Sequence, residues 1–553
     1  MKRYALILGL SLIATLAQAQ PFSREETYSR QDTLRGSIGP ERAWWDLVHY
    51  KLSVWVYPEK EAIEGVNTVT YTVVSASPGR MQIDLQEPMQ IEQVMQNGKA
   101  LTWVREGSAY FINVVADQPI GSRQQIAITW GGVPQKAKRA PWDGGFTWTT
   151  SKNGMPFIAT ANQGDGASVW WPCKDHPADE PQEGVIMAVT VPEDLVHVGN
   201  GRLISNTRNK RDKTRTYTWE VTNPINSYAI NINVGDYVNF NETYEGEKGT
   251  LTCSYWVLKE DEAKARAQFP QALKTLEAME WWLGPYPFYE DTYKLVQAPY
   301  LGMEHQSSVT YGNGFMNGYR GTDLSQTGEG LKFDFIIIHE SAHEWFANSI
   351  TSADVADMWV HEGFTDYAES LYLEYHFGKE SAWRYVRGLR TNIQNDIPII
   401  GTYGVNREGS SDMYYKGSNM LHTLRMIVND DEKWRAMLRG IQSKWYHQIV
   451  TSAEIEAYLA EQSGEYLEPF FDVYLRDTRI PTLTYRKLNG ALIYKWTNVP
   501  QGFIMPVDVT IDGEPIRLVP TEKMQYMEAE VSLDSEFIVN PNYYIAIEDQ
   551  TVK

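Results

Sequence analysis

Cysteine is scarce in this sequence. Only Cys173 and Cys253 occur among its 553 residues, which excludes the small extracellular scaffolds that depend on several disulfides. One disulfide between the two remains open, because their spacing alone decides nothing. Stability must therefore come from a buried apolar core, and a hydrophobic content of 42% is typical of a globular protein. The chain is long enough for roughly three domains of ordinary size.

Long apolar runs are absent beyond the first residues. Two positive charges precede an apolar run from Tyr4 to Leu16, and a small-x-small site ends at Ala19. A charged start, a run too short to cross a bilayer and such a site predict a signal peptide over residues 1–19. We therefore expect an exported protein, periplasmic or secreted, with no membrane span after signal cleavage.

Positive charge is in deficit. The chain has 50 Lys and Arg against 70 Asp and Glu, a net charge of −20, and no basic stripe occurs. This balance argues against nucleic acid as a partner. Acidity can favour cationic substrates, but solubility is the simpler explanation of it.

The first part of the chain is predicted to be rich in strands. Residues 20–43 are polar, and we expect a leader with little order there. Apolar and polar residues then alternate, for example from Val48 to Val56, which is typical of half-buried strands. Asn97-Gly98 is a hairpin turn signal. These patterns predict an N-terminal β domain, a saddle or sandwich, over residues 44–250.

Helical patterns dominate the middle of the chain. Helical spacing begins near Asp261, and Thr451 with Glu454 forms a capping-box signature. Ile480-Pro481 marks a boundary, after which alternation returns. We predict an α+β multidomain protein, with a mostly α-helical domain over 251–479 and a small C-terminal β-sandwich over 480–553.

The sequence HESAH places His339 and His343 four residues apart at the end of an apolar run. On a helix, both rings share one face and can bind one zinc ion. Glu340 can reach a water molecule on that zinc and act as general base. The alternative is a buried helix whose histidines are satisfied by hydrogen bonds.

A third metal ligand has to come from elsewhere, because a catalytic zinc usually has three protein ligands. Glu362 opens a second helical pattern, and Asp366 and Glu369 follow at plus four and plus seven on the same face. One of these carboxylates can bind the metal while another orients a histidine through its second ring nitrogen.

Two further stretches have residues suited to a cleft. Glu304 stands beside Gly302 in a strand-like segment before the zinc helix, although that pattern is weak by itself. The stretch from Phe157 to Gly164 is less regular and contains Gln163. It fits a binding loop and a packed interdomain loop equally well.

The spacing of His339, His343 and, after eighteen residues, Glu362-Gly363-Phe364 resembles the zinc signature of the aminopeptidase N and leukotriene hydrolase family of gluzincin metallopeptidases. The resemblance extends over nearly the whole mature chain. It implies an N-terminal β saddle, a thermolysin-like catalytic domain and a C-terminal β-sandwich. It also implies a short form without the large C-terminal helical domain of many members, and therefore a more open cleft.

The resemblance also implies roles for individual residues. His339, His343 and Glu362 are expected to bind one Zn²⁺ per chain, with Glu340 as the general base on a zinc-activated water. Tyr414, in the sequence YYKG, matches the tyrosine that stabilises the oxyanion. A phenol suits this role because it donates a hydrogen bond to charge that develops in the transition state.

An amine-binding site is implied as well. The segment Gly302-Met303-Glu304-His305 is similar to the exopeptidase motif of the family, with His305 in place of an asparagine. Glu304 is expected to pair with the free α-amine of a substrate. Gln163 has the spacing of the second amine-binding residue of the family.

The implied function is a zinc-dependent aminopeptidase that removes N-terminal residues from peptides with a free N-terminus. Asp366 and Glu369 are expected to support the metal ligands. The altered exopeptidase motif keeps open a zinc endopeptidase or a non-peptide hydrolase on the same site. A non-enzymatic binding protein with a silent zinc site is a further alternative, although it usually requires loss of a ligand or of the base.

Overall fold

The computed structural model describes residues 27–552, and the expected signal peptide lies outside this part of the chain. Two short helices open the described chain, α1 (Arg30–Gly36) and α2 (Pro40–Ala43). Ser29 caps α1 through a capping box with Asp32, whose side chain reaches back to the Ser29 backbone.

This N-terminal segment is anchored by a buried ion pair. Arg42 is fully buried, and its guanidinium donates to the carboxylate of Asp84, which is also fully buried. The same guanidinium donates to the carbonyls of Arg35 and Ser37. The expected lack of order over residues 20–43 is therefore wrong for residues 27–43, because their partners lie in a distant strand that local sequence does not reveal.

An eight-stranded sheet forms the body of the N-terminal domain. Trp45–Tyr57 pairs parallel with Val185–Pro192 and antiparallel with Ala62–Val73, and every other pairing in the sheet is antiparallel. The spatial order of its strands is Arg202–Asn209, Thr214–Val221, Val185–Pro192, Trp45–Tyr57, Ala62–Val73, Arg123–Gly132, Gln90–Gln96 and Lys99–Ala100.

Two smaller sheets complete this domain. One core of buried apolar residues is shared by all three sheets. The smaller sheets, in spatial order, are Val196–Val198, Asn233–Gly235, Pro156–Ala161 and Gly145–Thr150, then Arg80–Asp84, Ala109–Asn113 and Trp103–Glu106. The short strand Pro156–Ala161 leads directly into the loop that carries Gln163, so the sheet fixes where that loop begins.

The predicted hairpin at Asn97-Gly98 is confirmed. Gln96 pairs with Lys99, so two residues form the turn. Both have positive φ, 51° for Asn97 and 75° for Gly98, as a type I′ turn requires.

A five-stranded sheet leads into the helical domain. Its spatial order is Tyr237–Gly246, Gly249–Leu258, Tyr293–Gln297, Val309–Tyr311 and Gly302–Met303. The expected boundary between residues 250 and 251 lies inside the second of these strands. Gly302–Met303 is the edge strand of the sheet, and Gly302 lies against Ile336 and Glu340 of the helix Phe335–Ala342.

Nine helices follow within the described residues. They pack around one apolar core that also includes residues of the C-terminal strands. In chain order they are α3 (Glu262–Gln268), α4 (Pro270–Leu283), α5 (Phe335–Ala342), α6 (Trp359–Phe377), α7 (Lys379–Leu389), α8 (Tyr415–Val428), α9 (Asp431–Lys444), α10 (Ser452–Ser463) and α11 (Glu468–Leu475). A parallel pair of short strands, Ile350–Ser352 and Gln448–Val450, lies among them.

The C-terminal strands form two sheets, as predicted. Trp496 and Phe503 pack edge to face in their shared core. The sheets, in spatial order, are Gln525–Glu528, Ala491–Thr497, Thr482–Leu488 and Ala546–Asp549, then Glu514–Leu518, Val507–Ile511 and Phe537–Val539.

The expected α+β multidomain architecture is confirmed, with a β-rich N-terminal domain, a helical domain and C-terminal strands. Cys173 and Cys253 are both buried, and neither forms a disulfide in the described chain. Within residues 27–552, the helices are all too short or too polar to cross a membrane.

Candidate active site

Helix α5 presents both histidines of the HESAH sequence from its C-terminal end. Asp334 caps the start of the helix by accepting a hydrogen bond from the Ile337 backbone, and residues 335–342 are buried. The Nε2 atoms of His339 and His343 lie 3.3 Å apart. Both rings therefore extend to one point from an element that packing holds rigid.

Helix α6 brings a carboxylate to the same point. Glu362 lies in its first turn, with Oε2 3.3 Å from His343 Nε2 and 3.7 Å from His339 Nε2. This buried oxygen has no hydrogen-bond partner among residues 27–552. The ligand atoms of the three side chains all lie within 4.8 Å of one another.

The hydrogen bonds of the two Nδ1 atoms determine which ring nitrogen of His339 and of His343 is free to bind a metal. His339 Nδ1 lies 2.7 Å from Glu369 Oε1, and His343 Nδ1 lies 3.0 Å from the Phe346 carbonyl. Both partners are acceptors, so each Nδ1 carries the proton and each Nε2 keeps a lone pair. Two such nitrogens and an unpartnered carboxylate oxygen fit one zinc ion and leave a fourth position open.

The surrounding charges favour a cation at this point. Burial alone lowers the pKa of His343, but the carboxylates of Glu362 and Glu304 outweigh it, so the pKa is raised. The pKa of Glu362 is lowered, since attraction to the two histidines outweighs its burial. Metal binding places positive charge where these carboxylates stabilise it.

Glu340 lies beside the histidines and faces the cleft. Burial raises the pKa of Glu340 to about 8. The Gly302 backbone passes so close that a Cβ there lies 2.5 Å from Ile336 and 3.0 Å from Glu340 Oε1. Any larger residue at this point of the edge strand displaces α5 or the Glu340 carboxylate, which accounts for the glycine.

The two predicted amine-binding residues lie next to the histidines and Glu362. Glu304 is buried, and its Oε1 accepts a hydrogen bond of 3.0 Å from the Tyr228 hydroxyl. Burial raises the pKa of Glu304, and Glu362 raises it further. Gln163 Nε2 donates to Glu362 Oε1 at 2.8 Å, across the boundary between the N-terminal and catalytic domains.

One cleft of about 380 Å³ collects these groups. Ten of the eleven predicted site residues line it: Gln163, Gly302, Met303, Glu304, His339, Glu340, His343, Glu362, Asp366 and Tyr414. The eleventh, Glu369, lies behind His339 and has no part in the cleft wall. Further residues that line the cleft include Pro141, Trp142, Tyr319, Leu324, Asn392 and Gln394.

Tyr414 reaches the cleft because two helices approach each other closely. It precedes α8, and its ring centroid lies 6.2 Å from that of His339. A Cβ on Gly417 of α8 lies only 3.1 Å from the Gly363 Cα of α6. These two glycines therefore permit the contact that sets the distance between Tyr414 and the histidines. Burial keeps the pKa of Tyr414 well above its usual range, so the phenol remains a hydrogen-bond donor.

Asp366 is placed differently from the expectation that it supports a metal ligand. Its carboxylate accepts a hydrogen bond from the Ser418 hydroxyl of α8, whereas Glu369 makes the contact with a histidine ring. Asp366 thus links the two helices that carry Glu362 and Tyr414. The reason is geometric, since the residue at plus four from Glu362 faces α8 and the residue at plus seven faces α5.

The side chain of His305, which stands where the family motif has asparagine, does not line the cleft. His305 is fully buried, and its Nδ1 lies 3.3 Å from Thr310 Oγ1. Burial lowers its pKa to about 3, so the ring is neutral. The preceding Glu304 is held from behind, because its carbonyl accepts a hydrogen bond of 2.8 Å from Asn348.

Sequence reasoning missed Tyr228, whose hydroxyl donates to Glu304. It lies in a 3₁₀ turn, Ser227–Ala229, that Asn226 caps. The asparagine two residues before Tyr228 is the only local sign of that turn.

Family models match both main domains of the chain. The Peptidase M1 N-terminal domain matches residues 47–229, and the Peptidase family M1 domain matches residues 268–474. The chain belongs to peptidase family M1. As a member of this family of zinc metallopeptidases, it has one catalytic zinc, for which His339, His343 and Glu362 form a suitable cluster.

Curated relatives are distant and mostly longer. Aminopeptidase M1-B of Oryza sativa is 25% identical over 334 residues, which cover 58% of this chain and 37% of that protein. Leukotriene A-4 hydrolase of Xenopus laevis is 21% identical over 444 residues, 76% of this chain and 68% of that one. The match to aminopeptidase N of Lactococcus lactis covers 39% of the length of that protein. The chain therefore spans well under half of the rice and Lactococcus proteins.

Solved structures share the fold. The M1 zinc metallopeptidase of Deinococcus radiodurans superimposes with a TM-score of 0.66 at 20% sequence identity, over 79% of this chain and 94% of that one. A two-domain M1 zinc metallopeptidase bound to L-arginine gives a TM-score of 0.65 at the same identity and the same coverage.

Proposed function

We propose that this protein is a zinc-dependent aminopeptidase that removes single residues from the free N-termini of peptides. The observation that carries the proposal is the position of Glu304. Its buried carboxylate has a ligand atom within 4.8 Å of those of Glu340 and His343. A carboxylate at that distance neutralises an α-ammonium group only when the first peptide bond lies over the metal ligands.

In the proposed mechanism, His339, His343 and Glu362 hold the zinc ion. When bound, the zinc polarises the scissile carbonyl and lowers the pKa of water. Glu340 takes a proton from the attacking water as the new C–O bond forms. It then passes that proton to the nitrogen of the leaving amine as the C–N bond breaks, so Glu340 ends the cycle deprotonated.

Tyr414 and the amine-binding residues support this step. The Tyr414 phenol donates a hydrogen bond to the oxyanion that develops on the carbonyl oxygen. Glu304 and Gln163 bind the α-ammonium group, and so fix which peptide bond reaches Glu340. An endopeptidase has no use for a buried carboxylate at this end of the cleft, which is why we favour the exopeptidase.

The test compares free and blocked substrates. Purified protein with its zinc content measured is assayed on aminoacyl p-nitroanilides and on the same compounds acetylated at the α-amine. We expect hydrolysis of the free amines only. Glu340→Gln is expected to lower kcat by about 10²- to 10⁴-fold while zinc is retained.

Glu304→Ala separates binding of the substrate amine from binding of zinc. We expect it to lower kcat/KM for free amines by about 10- to 100-fold, because the α-ammonium loses a charged hydrogen-bond partner. Zinc content is expected to stay near one ion per chain, because His339, His343 and Glu362 are all retained. Glu530→Gln, an exposed carboxylate in the C-terminal domain, is the matched control. Cleavage of acetylated substrates by the wild type contradicts the proposal and favours an endopeptidase.

A further inference from the structure

Glu304 begins a buried polar turn. The strands Gly302–Met303 and Val309–Tyr311 pair antiparallel, and residues 304–308 connect them. These five residues are all polar or ionisable, and each is at most 2% exposed. Ser307 has a φ of 52°, in the left-handed region that residues with a Cβ seldom adopt. Apolar packing does not hold such a turn, so its position depends on hydrogen bonds to its surroundings.

Two residues that follow the zinc helix α5 hold this turn at both ends. Asn348 Nδ2 donates to the Glu304 carbonyl at 2.8 Å. The Ser307 backbone N–H donates to Glu344 Oε1, also at 2.8 Å. Glu344 is fully buried and Asn348 is 2% exposed. Both hydrogen bonds therefore lie in a low-dielectric environment, where they are stronger than in water.

The same two residues are tied to a metal ligand. Glu344 is the next residue after His343, and the Asn348 backbone N–H donates to the His343 carbonyl at 3.1 Å. The connection between the backbone of His343 and the backbone of Glu304 is therefore only one residue long. Through it, the position of the amine-binding carboxylate depends directly on the position of the metal ligands.

The N-terminal domain supports the turn from the opposite side. Asn200 Nδ2 donates to the Gln306 carbonyl at 2.7 Å, and the Gly201 backbone N–H donates to Ser307 Oγ at 2.8 Å. These contacts hold the tip of the turn, whereas Asn348 acts on Glu304 itself. The division of labour leaves the spacing between Glu304 and the metal ligands to the residues after α5.

That spacing decides which peptide bond is cut. This step rests on the proposed function, in which Glu304 binds the α-ammonium group. In an N-terminal residue, the ammonium nitrogen and the scissile carbonyl carbon are attached to the same Cα, so their separation is fixed. The ammonium group and the carbonyl reach their sites together only if Glu304 and His343 keep a matching distance. A displacement of about 1 Å can lower the rate about 10²-fold.

We propose that Glu344 and Asn348 are positioning residues for the amine site, which fix Glu304 relative to the metal ligands and so set the one-residue spacing of the exopeptidase. Neither of them lines the zinc cleft, so both act through Glu304 and not on the substrate. Loss of either hydrogen bond frees one end of the turn. It weakens recognition of the amine while all three metal ligands remain.

The test measures the contribution of the amine with two inhibitors. Leucine hydroxamate and 4-methylpentanohydroxamate share their metal-binding group and side chain and differ only in the α-amine. Their dissociation constants are measured by titration calorimetry on protein of known zinc content. We expect the wild type to bind leucine hydroxamate about 10- to 100-fold more tightly. Asn348→Ala and Glu344→Ala are expected to lower that ratio about 3- to 10-fold, with the amine-free compound bound within about twofold of the wild type.

Two further variants separate positioning from general stability. Glu344→Gln keeps an oxygen acceptor for the Ser307 N–H and is expected to keep the wild-type ratio. Asn67 is the matched control, since it is fully buried in the N-terminal domain and its Nδ2 donates to the Pro172 carbonyl at 2.9 Å. Asn67→Ala loses a comparable hydrogen bond and is expected to leave the ratio unchanged.

Each outcome has one reading. A wild-type ratio near one overturns the amine site and the proposed function with it. A normal wild-type ratio that persists in both alanine variants overturns the positioning role alone, and an equal loss in Asn67→Ala also contradicts it. If Glu344→Ala loses its zinc or its fold, Asn348→Ala decides by the same ratio.

A substrate of altered length tests the wild type directly if neither alanine variant folds. β-Homoleucyl p-nitroanilide has one more carbon between amine and carbonyl than leucyl p-nitroanilide. A loss in kcat/KM of about 100-fold or more supports a fixed spacing. Similar rates for the two substrates overturn it.

Discussion

Among single residues, Glu369 lies outside the cleft but orients a metal ligand, His339. Its Oε1 accepts from His339 Nδ1, and its Oε2 accepts a hydrogen bond of 2.6 Å from the Tyr385 hydroxyl. The carboxylate is thus fixed on both sides. It holds the imidazole in the tautomer whose Nε2 lone pair faces Glu362.

We predict that Glu369→Ala weakens zinc binding by about 10- to 100-fold, because His339 loses the acceptor that fixes its ring. Competition with a chelator of known affinity measures the change. Glu380→Ala, at an exposed position of α7, is the control. An unchanged zinc affinity shows that packing alone orients the ring.

Residue types at fixed spacing were predictable from the sequence, whereas contacts across domains were not. Periodicity places His339, His343 and Glu362 on two helix faces, and the structure brings those faces together. The hydrogen bond between Gln163 and Glu362 joins residues 199 positions apart. The family resemblance suggested Gln163 by its spacing, but no local pattern specifies its partner.

At the scale of elements, the crossing of α6 and α8 controls the position of Tyr414. Gly363 and Gly417 allow the backbones to meet, and the hydrogen bond between Ser418 and Asp366 fixes the helices beside that contact. Burial and the neighbouring Glu369 raise the pKa of Asp366 well above its usual range. A protonated carboxyl at this place avoids an unpaired buried charge.

We predict that Ser418→Ala lowers kcat several-fold with little change in KM or zinc content, because α8 loses a polar link worth about 1 kcal/mol. Steady-state kinetics with metal analysis measures this. Ser443→Ala, exposed on α9, is the control. A rise in KM alone places the effect in substrate binding and contradicts a role in holding Tyr414.

Elements with strong local signals were predicted well. The Thr451 and Glu454 capping box is present at the start of α10, and the Asn97-Gly98 hairpin has its expected turn. Helix α1 was missed because it has only seven residues and most of them are polar. It is stabilised by contacts with distant segments and not by an apolar face of its own.

At the scale of the whole molecule, the N-terminal segment joins the two main domains. Arg42 and Asp84 form its buried link to the β domain, with both side chains at 0% exposure. On the other side, the backbone N–H of Asn406 donates to the Asp32 carbonyl in α1 at 3.0 Å. The sequence predicted three domains after a polar leader. The polar composition of that leader gave no sign that it contacts both the β domain and the helical domain.

We predict that Arg42→Ala lowers the free energy of unfolding by about 3–5 kcal/mol, because Asp84 is left as an uncompensated buried charge. Urea denaturation of the full chain measures the change. Arg30→Ala removes an exposed ion pair with Glu106 and is expected to have little effect. Equal stability of the two variants contradicts the prediction.

The bridge by the N-terminal segment has a consequence for the order in which the protein is made. Tyr28 donates to Thr402, which lies 374 positions later in the chain. Arg35 and Gly36 share the wall of one cavity with Gln163 and Glu408. The ribosome therefore delivers one side of this wall almost first and the other only after three quarters of synthesis. The wall that Arg35, Gly36 and Glu408 share is therefore incomplete in a nascent chain until the catalytic domain is nearly finished.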